Sequence, residues 1–377
     1  MTVLTIYFCG TGSNKFDDSN LNFWNGELIS NLASHHLGRE FAEWIIIDGP
    51  GSGNIQDDEL WVESGKYYGW LGSAFGYGWQ ENVNHAIQMI KGNFDWRREK
   101  LTEQQYLQLK RAGVPIKDVE VTGSFFWRHY DYGKRKISQQ QLQQQIIQSF
   151  RKGGVIPTQV NLVGWSRGGI SCHMLANAML GDPTLKTIPV NIFAVDPVPG
   201  PMNFQREKVT LGHNVKEYVA FYARDERSKG FSCVIPETDK STAVHIYPMS
   251  GRHATLVGNA SSDGIFGSKI LFEAGMVVRH FAETCLTRWG VNQDKKLDLD
   301  EEQLFELHIA MQRNAELYTK MQSISYTGIT ENDDGERYVS KGKMGTRFSL
   351  IKGDVYTPAS GLTSDFLVNN SIYDRLK

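Results

Sequence analysis

The sequence predicts an α/β fold: a mostly parallel sheet with helices on both faces, plus helical insertions and a C-terminal extension. Short runs of β-branched and aromatic residues recur along the chain and end in glycine-rich or polar turns, as buried parallel strands do. Stretches with the apolar spacing of helices separate these runs. The predicted strands are residues 3–8, 43–47, 160–163, 190–195, 215–223 and 243–247.

Apolar residues at helical spacing predict helices over residues 80–90 and 170–180, and a helical segment over 268–322. The acidic run at 294–302 has the spacing of a calcium loop but lacks a glycine at the sixth position. We interpret it as the start of a helix, where carboxylates are stabilised by the helix dipole.

The chain is long enough for one large domain with additions. We expect one α/β domain over residues 1–290 and a helical and irregular extension over 291–377 packed on the same domain. Residues 94–150 are charged and glutamine-rich, and we interpret them as an insertion of solvent-facing helices.

Composition narrows the class of function. Of the 377 residues, 40% are hydrophobic and 22% are charged, which is enough apolar content for a full core. The net charge of -2 gives no reason to expect a nucleic acid as a partner. The four cysteines are widely spaced and form no CxxC pair, so we expect reduced thiols, no metal site and no cofactor.

The N-terminal residues bear on localisation. The run MTVLTIYFCGTGSN has no basic leader, and its apolar part ends in a glycine turn, so a cleaved secretory signal is not predicted. No stretch of 18 or more apolar residues predicts a membrane span. We expect a protein that is cytoplasmic as synthesised and whose export, if any, needs no cleaved signal peptide.

A five-residue motif, Gly164-Trp165-Ser166-Arg167-Gly168, lies between a predicted strand and a predicted helix. G-x-S-x-G is the pattern of a nucleophile elbow, in which a sharp turn exposes a serine hydroxyl at the N-terminus of a helix. The alternative is a structural glycine turn, but the strand–turn–helix context favours Ser166 as a nucleophile. This motif on such a sheet predicts a serine hydrolase of the α/β-hydrolase type.

A serine hydroxyl is a poor nucleophile until a neighbouring base takes its proton. In this fold, the base is expected late in the chain, in a loop after the last strand. His253 occupies that place, directly after a flexible Ser-Gly pair, whereas His245 lies within the strand. His280 and His308 lie in helical patterns, so we predict surface or packing roles for them.

Two aspartates at strand ends are candidates for the acid that orients the histidine. Asp225 follows the second strand after the nucleophile, which is the usual place for this acid, and we favour it slightly. Asp196 follows the first strand and is the alternative. The aspartate that is not the acid is expected to line the site.

The oxyanion hole of such an enzyme needs two backbone N–H donors. We expect one from Arg167, the residue after the nucleophile, and another from the loop at Gly10 and Thr11 after the first strand. The glycines of that loop are equally consistent with a simple turn.

Seven segments, in the same order along the chain, resemble the motifs of one known family. They are residues 9–14, 49–53, 71–83, 164–169, 196–198, 218–231 and 250–258. These segments resemble the D-G-T-x-N loop, the glycine-rich loop, the LGGAFG segment, GFSRGA, DTV, HAxAxDExR and PGxH of uncharacterised bacterial and fungal α/β hydrolases. The best-studied members are lipase effectors of type VI secretion. Cys9 departs from the family by replacing its first aspartate, and Asn259 by replacing a glycine after the histidine.

The resemblance implies phospholipase or related esterase activity on a lipid or other ester substrate. It also implies delivery into another cell, and with it a secretion chaperone or an immunity protein as partner. The aromatic residues at 61–79 are consistent with a lipid-facing lid, but core packing is the favoured interpretation. The mixed aromatic and basic residues at 125–135 are consistent with transient contact with a membrane surface, but a solvated insertion is favoured. Two alternatives stay open: a thioesterase or peptidase on the same triad, and a binding module that has lost the chemistry.

Overall fold

A computed structural model of the protein describes residues 2–49, 79–91, 101–102, 120–122, 129–131, 156–259, 270–329, 336–351 and 376. The strands in these residues are β1 (Val3–Phe8), β2 (Trp44–Ile47), β3 (Leu101–Thr102), β4 (Glu120–Thr122), β5 (His129–Asp131), β6 (Gln159–Trp165), β7 (Val190–Val195), β8 (Val215–Ala223), β9 (Cys233–Ile235), β10 (Ala243–Met249), β11 (Tyr338–Lys341) and β12 (Met344–Arg347). The helices are α1 (Leu28–Ser34), α2 (Trp79–Lys91), α3 (Arg167–Gly181), α4 (Arg206–Val209), α5 (Glu273–Arg288), α6 (Glu301–Arg313) and α7 (Ala315–Lys320).

Six of these strands form one sheet in the order β10-β8-β7-β6-β1-β2, and every neighbouring pair is parallel. The chain runs outward from β1 to β2, returns to β6 on the other side of β1, and then continues in the opposite direction. Strand order therefore reverses between β1 and β6. In open α/β sheets, ligands bind outside the carboxyl ends of the strands at such a reversal.

The two faces of the sheet are covered by different helices. Side chains alternate along β1, so Ile6 and Phe8 lie in one core and Tyr7 lies in the other. Helices α2 and α3 pack into the first core, whereas α1, α5, α6 and α7 pack into the second. Burial on both faces explains why the strands are continuous apolar runs in the sequence.

The register of the sheet aligns the carboxyl ends of its strands. Phe8 of β1 lies beside Gly164 of β6, and Gly164 lies beside Ala194 of β7. Ala194 in turn pairs with Ala220 of β8, which pairs with Ile246 of β10. The turns that follow these five strands consequently emerge at one edge of the sheet.

The predicted parallel α/β fold is confirmed, including all six strands of the main sheet. Helix α2 lies where it was expected, and α3 begins at Arg167, three residues before the predicted 170–180. The helical segment 268–322 is divided into α5, α6 and α7. The acidic run does lead into a helix, since the Asp300 side chain caps α6 by accepting a hydrogen bond from the N–H of Gln303.

The prediction of a helical insertion is wrong for those of its residues that the structure describes. Strands β3, β5 and β4 form a small antiparallel sheet within it. Each of these strands is only two or three residues long, too short for a period of two to stand out among charged neighbours. The glutamine-rich run 139–145 lies outside the described residues.

Residues of the expected C-terminal extension contact the α/β domain. Strand β11 pairs in parallel with β9 and antiparallel with β12, forming a second small sheet. Tyr318 of α7 donates a hydrogen bond to Glu273 of α5 at 2.9 Å. The division at residues 290 and 291 stays a prediction. In the part of the chain that the structure describes, no helix is both long and apolar enough to cross a bilayer.

Candidate active site

Ser166 lies at the turn between β6 and α3 in a backbone conformation that side-chain-bearing residues rarely adopt. Its φ is 59° and its ψ is -126°, and it forms the N-cap of α3. Two backbone hydrogen bonds hold it to the turn after β7: its N–H donates to the Val195 carbonyl at 3.0 Å, and its carbonyl accepts from the N–H of Val198 at 3.2 Å. This strained turn is the geometry that the G-x-S-x-G pattern predicts.

The glycines beside Ser166 are required by close backbone contacts. A methyl group at Gly168 would overlap the carbonyl of Phe8 in β1. One at Gly164 would overlap the Gly168 carbonyl across the turn. Only glycine therefore lets α3 leave the sheet at this angle, and the helix N-terminus is brought against the carboxyl end of β1.

His253 pairs with Asp196. The imidazole Nδ1 donates to Oδ2 of Asp196 at 2.6 Å, and both side chains are buried. Because Nδ1 carries this proton, a neutral ring leaves Nε2 as an acceptor. The second carboxylate oxygen, Oδ1, accepts from the N–H of Ala223 at 3.0 Å. Asp196 thus holds the ring in the tautomer that a general base requires.

Asp225, the aspartate favoured from the sequence, does not contact the imidazole. Its Oδ2 accepts from the N–H of Gly251 at 2.8 Å, and its Oδ1 accepts from Nε2 of Gln322 at 2.8 Å. The preference for Asp225 is therefore corrected: the partner of the imidazole is Asp196. The physical reason is that the Asp225 N–H donates to the Gly251 carbonyl, so the residue is bound into the turn that precedes His253.

Glu226 is a buried acid beside the imidazole that the sequence analysis did not select. Its Oε2 accepts from the backbone N–H of His253 at 3.1 Å, and its Oε1 accepts from the N–H of Ser228 at 2.7 Å. The carboxylate therefore joins the turn after β8 to the loop that carries the histidine. Its position directly after Asp225 in a strand-end turn was the available signal.

Arg337 is a second residue that sequence reasoning missed. Its Nη1 donates to Oδ1 of Asp196 at 2.5 Å, and its Nη2 donates to Oδ2 at 3.1 Å. The guanidinium is almost fully buried, with 2% of the side chain exposed. It comes from the segment just before β11, a part of the chain where nothing in the pattern marks a buried charge.

The surroundings of Asp196 and Arg337 set the protonation of these two groups. Burial alone would raise the pKa of the Asp196 carboxyl, but Arg337 and His253 together hold it below its ordinary value. Burial would lower the pKa of the Arg337 guanidinium, and the adjacent carboxylate raises it instead. Asp196 is accordingly an ionised carboxylate and Arg337 a cation at neutral pH.

Aromatic rings surround the imidazole of His253. The Trp165 ring, one residue before the candidate nucleophile, lies 5.2 Å away between centroids. Phe231 packs edge-on at 5.1 Å, and Tyr326 lies 6.4 Å away. A cavity of about 470 Å³ lies beside Phe231 and Arg337. The elbow and the histidine are therefore in contact through Trp165, in an apolar setting.

Arg167, Gly10 and Thr11, the residues expected to form the oxyanion hole, are brought together. Nη1 of Arg167 donates to the Thr11 hydroxyl at 3.0 Å. A side chain at Gly10 would collide with the Trp165 ring, so this position must be glycine for the loop to approach the elbow. Burial lowers the pKa of Arg167 to about 10, which leaves the guanidinium charged at neutral pH. The backbone N–H of Arg167 lies at the first position of α3.

The Ser166 hydroxyl and the His253 imidazole are not joined by a hydrogen bond among the described residues. In unliganded hydrolases such bonds are often long and tighten only with substrate. In the same residues, no group of three or more His, Cys, Asp or Glu side chains is placed to hold a metal ion. Of the segments that carry the resemblance, residues 50–78 lie outside the described part of the chain, while Trp79 is buried.

No family model matches this chain, and no curated protein sequence matches it. Among solved structures, a crystal structure of an uncharacterized protein from Pseudomonas aeruginosa is similar at 15% identity and a TM-score of 0.44, over 84% of this chain and 52% of that one. The Tle1 effector bound to the VgrG spike of the Type 6 secretion system is similar at 12% identity and a TM-score of 0.28, over 68% and 50%. This chain thus spans about half the length of each, and likenesses of this size do not establish a function.

Proposed function

We propose that this protein is a serine ester hydrolase with Ser166 as nucleophile, His253 as general base and Asp196 as the orienting acid. The observation that carries the proposal is the buried 2.6 Å contact between His253 Nδ1 and Asp196 Oδ2. It lies at the same edge of the sheet as a serine held at positive φ. A neutral imidazole so oriented and a strained, helix-capping serine are the two parts that serine hydrolysis requires.

The reaction follows from these positions. Nε2 of His253 takes the proton of Ser166 as its oxygen attacks the ester carbonyl, and a tetrahedral oxyanion forms. The oxyanion collapses, the ester C–O bond breaks, and the leaving alkoxide receives the proton from Nε2. An acyl group remains on Ser166. Water then attacks this acyl-enzyme, with His253 again accepting a proton and returning it to the serine oxygen as the acid is released.

Backbone N–H groups stabilise the oxyanion in this proposal. The Arg167 N–H, at the N-terminus of α3, is one donor, and its position is supported by the helix dipole. A second comes from the loop of Gly10 and Thr11, which the Arg167–Thr11 hydrogen bond ties to the elbow. The side chain of Arg167 thus holds the two halves of the hole together.

The finer proposal is that the ester is a lipid and that the protein acts as a phospholipase or lipase. The aromatic rings around His253 support an apolar acyl or alcohol group. The family resemblance of the elbow and the strand-end motifs supports the same class. Under the same proposal, the protein is exported to another cell and has a secretion chaperone or an immunity protein as partner. It also makes transient contact with a membrane surface.

A fluorophosphonate probe tests the reaction. We expect covalent labelling of the full-length protein at Ser166, located by mass spectrometry, and none in Ser166→Ala. Ser171→Ala is the matched control, since Ser171 is also a buried serine of the same turn-to-helix segment but its hydroxyl donates to the Arg167 carbonyl at 3.1 Å. It should label as the wild type does. A folded wild type that does not label at Ser166 would show a binding module instead.

The class of substrate needs a second experiment. Wild type and Ser166→Ala are incubated with a whole-lipid extract, short p-nitrophenyl esters, acyl thioesters and peptides, and the products are identified by mass spectrometry. Release of fatty acid or lysolipid by the wild type alone supports the lipolytic proposal. Turnover confined to thioesters or peptides contradicts it and assigns the same triad to another reaction.

A further inference from the structure

The second small sheet brings a distant segment of the chain to the candidate site. Val339 of β11 pairs with Cys233 of β9 in parallel register. Arg337 lies two residues before Val339, and Phe231 lies two residues before Cys233, so the pairing sets Arg337 beside Phe231. The guanidinium is thereby directed at the carboxyl end of β7, where Asp196 lies.

Within the described residues, the Arg337 guanidinium donates four hydrogen bonds, all to acceptors at the candidate site. Besides the two carboxylate oxygens of Asp196, Nη1 donates to the Ala223 carbonyl and Nη2 to the Phe231 carbonyl, both at 2.6 Å. Such a planar fork engages a carboxylate with both nitrogens at once. A guanidinium held on four acceptors in the interior cannot swing away without leaving two buried charges unpaired.

We infer that Arg337 is a positioning residue of the proposed hydrolase, which clamps the Asp196 carboxylate so that its Oδ2 meets the His253 ring. This inference rests on the proposed function and extends it, because it makes a segment outside the expected catalytic domain part of the reacting constellation. In this inference Arg337 has a positioning role. It acts through Asp196, whose plane it defines together with the N–H of Ala223.

Arg337 also supplies the charge that balances the carboxylates around His253. The charged groups that face the histidine or its loop include Asp196, Asp225, Glu226, Arg224, Arg252 and Arg337. Arg252 directs its guanidinium over the Tyr326 ring, 4.5 Å from the centroid. Removing the positive charge of Arg337 would leave the Asp196 carboxylate beside the imidazole without its cation, a change that favours the protonated ring.

Arg337→Met removes this charge and keeps most of the side-chain volume. We expect the acid limb of the pH profile of kcat/KM to move upward by about one pH unit or more, since the loss of a buried positive charge near the imidazole favours its protonated form. Arg337→Lys keeps the positive charge but loses the planar guanidinium that donates to both oxygens of Asp196. For this variant we expect an acid limb close to that of the wild type and a kcat lower by about tenfold.

Arg279→Met is the matched control. Arg279 is equally buried and pairs with Glu283 within α5 at 2.7 Å, away from the histidine. Its loss should lower stability, as the loss of Arg337 does, while leaving the pH profile unchanged. A pH shift in both arginine variants would reveal a general effect of destabilisation and overturn the inference.

An NMR titration of ring-labelled histidine tests the inference without any turnover. The His253 signal is assigned by its absence from His253→Gln, and its titration midpoint is compared in wild type, Arg337→Met and Arg279→Met, all as full-length protein. A rise in the midpoint in Arg337→Met alone supports the inference, and an unchanged midpoint overturns it. Failure of Ser166 to label with the fluorophosphonate would instead overturn the proposed function, so the two failures are distinct. If Arg337→Met does not fold, Arg337→Lys decides: an unchanged midpoint with reduced labelling rate supports the inference, and an unreduced rate contradicts it.

Discussion

Nδ1 of His253 lies 2.6 Å from Oδ2 of Asp196, although 57 residues separate them in the chain. The two follow strands β10 and β7, which are separated in the sheet by β8. The histidine loop therefore crosses the end of β8 to reach the acid. Ala223 and Glu226 support this crossing from the end of β8, since each bonds one member of the pair.

Asp196→Asn should abolish most of the activity, because an amide cannot hold the imidazole in the required tautomer or stabilise its protonated form. We expect kcat/KM to fall by about 10³-fold or more, with stability also reduced because Arg337 loses its buried partner. The measurement is ester hydrolysis or probe inactivation, corrected for the folded fraction by circular dichroism.

Asp225→Asn is the comparison for this prediction. The Asp225 carboxylate accepts from Gly251 and Gln322, so its loss loosens the loop before His253 without removing the partner of the ring. We expect a loss of activity of about tenfold or less. A larger loss in Asp225→Asn than in Asp196→Asn would return the role of the acid to Asp225.

Trp165→Phe tests the contact between the elbow and the imidazole. The indole ring packs against His253, and its Nε1 is buried without a hydrogen-bond partner among the described residues. The smaller phenyl ring leaves a gap, but the loss of the unpaired N–H offsets part of the destabilisation. We therefore expect the free energy of unfolding to fall by only about 1 kcal/mol. The ring of His253 loses its lateral contact, and kcat should fall by about tenfold.

Trp44→Phe provides the control for Trp165→Phe. Trp44 lies on β2, and its Nε1 donates to the Gly38 carbonyl at 2.8 Å. The substitution should lower the free energy of unfolding, measured in urea, without changing the rate per folded molecule. Equal rate losses in the two variants would show that the contact with His253 has no special part in the reaction.

Gly168→Ala should destabilise the fold, because the added methyl group would overlap the Phe8 carbonyl. We expect the free energy of unfolding to fall by about 2 kcal/mol or more. Gly181→Ala, at the other end of α3, meets no atom within 4 Å and should change stability by less than about 1 kcal/mol. Urea denaturation of the two variants compares them directly, and equal effects would contradict the packing described for the elbow.

Stability should fall as the pH is lowered from about 6.5 to about 4, partly through His173. Burial lowers the pKa of His173 to about 4. In the folded protein, its Nδ1 donates a hydrogen bond to the Lys208 carbonyl at 2.8 Å. Between this pKa and the ordinary value of 6.5, the unfolded chain binds more protons than the folded one, so stability is present above pH 6.5 and is lost on acidification. His173→Gln should make the decline of the unfolding free energy shallower, by at most about 1.4 kcal/mol per pH unit.

Other buried groups titrate in the same range. Burial lowers the pKa of His36 and of His308 to about 4, so both add to the decline. Burial raises the pKa of Glu27 to about 7, so this group contributes in the opposite direction between its ordinary value of 4.5 and 7, and the net slope is the sum of all these contributions. His213 is exposed, and His213→Gln should leave the slope of the wild type unchanged. A slope in His173→Gln that equals that of the wild type would contradict the prediction.

The sheet and the elbow could be predicted because their signals are local. Strands β1 and β7 are buried on both faces, so each is a continuous apolar run, and the run ends where the backbone turns away from the sheet. The glycines around Ser166 mark a turn whose geometry excludes side chains. Strand β9, only three residues long, and β11, in a polar segment, lack such signals and were not predicted.

The sequence alone predicted a parallel sheet with the candidate nucleophile, base and acids at the carboxyl ends of its strands, because strands buried on both faces and the turns that end them have local patterns. Only the tertiary structure decided that Asp196 rather than Asp225 meets His253, and that Arg337 joins them. A buried carboxylate must be paired, and its partner is whichever donor the packing of remote segments brings within hydrogen-bond distance. No local pattern of residues encodes that distance.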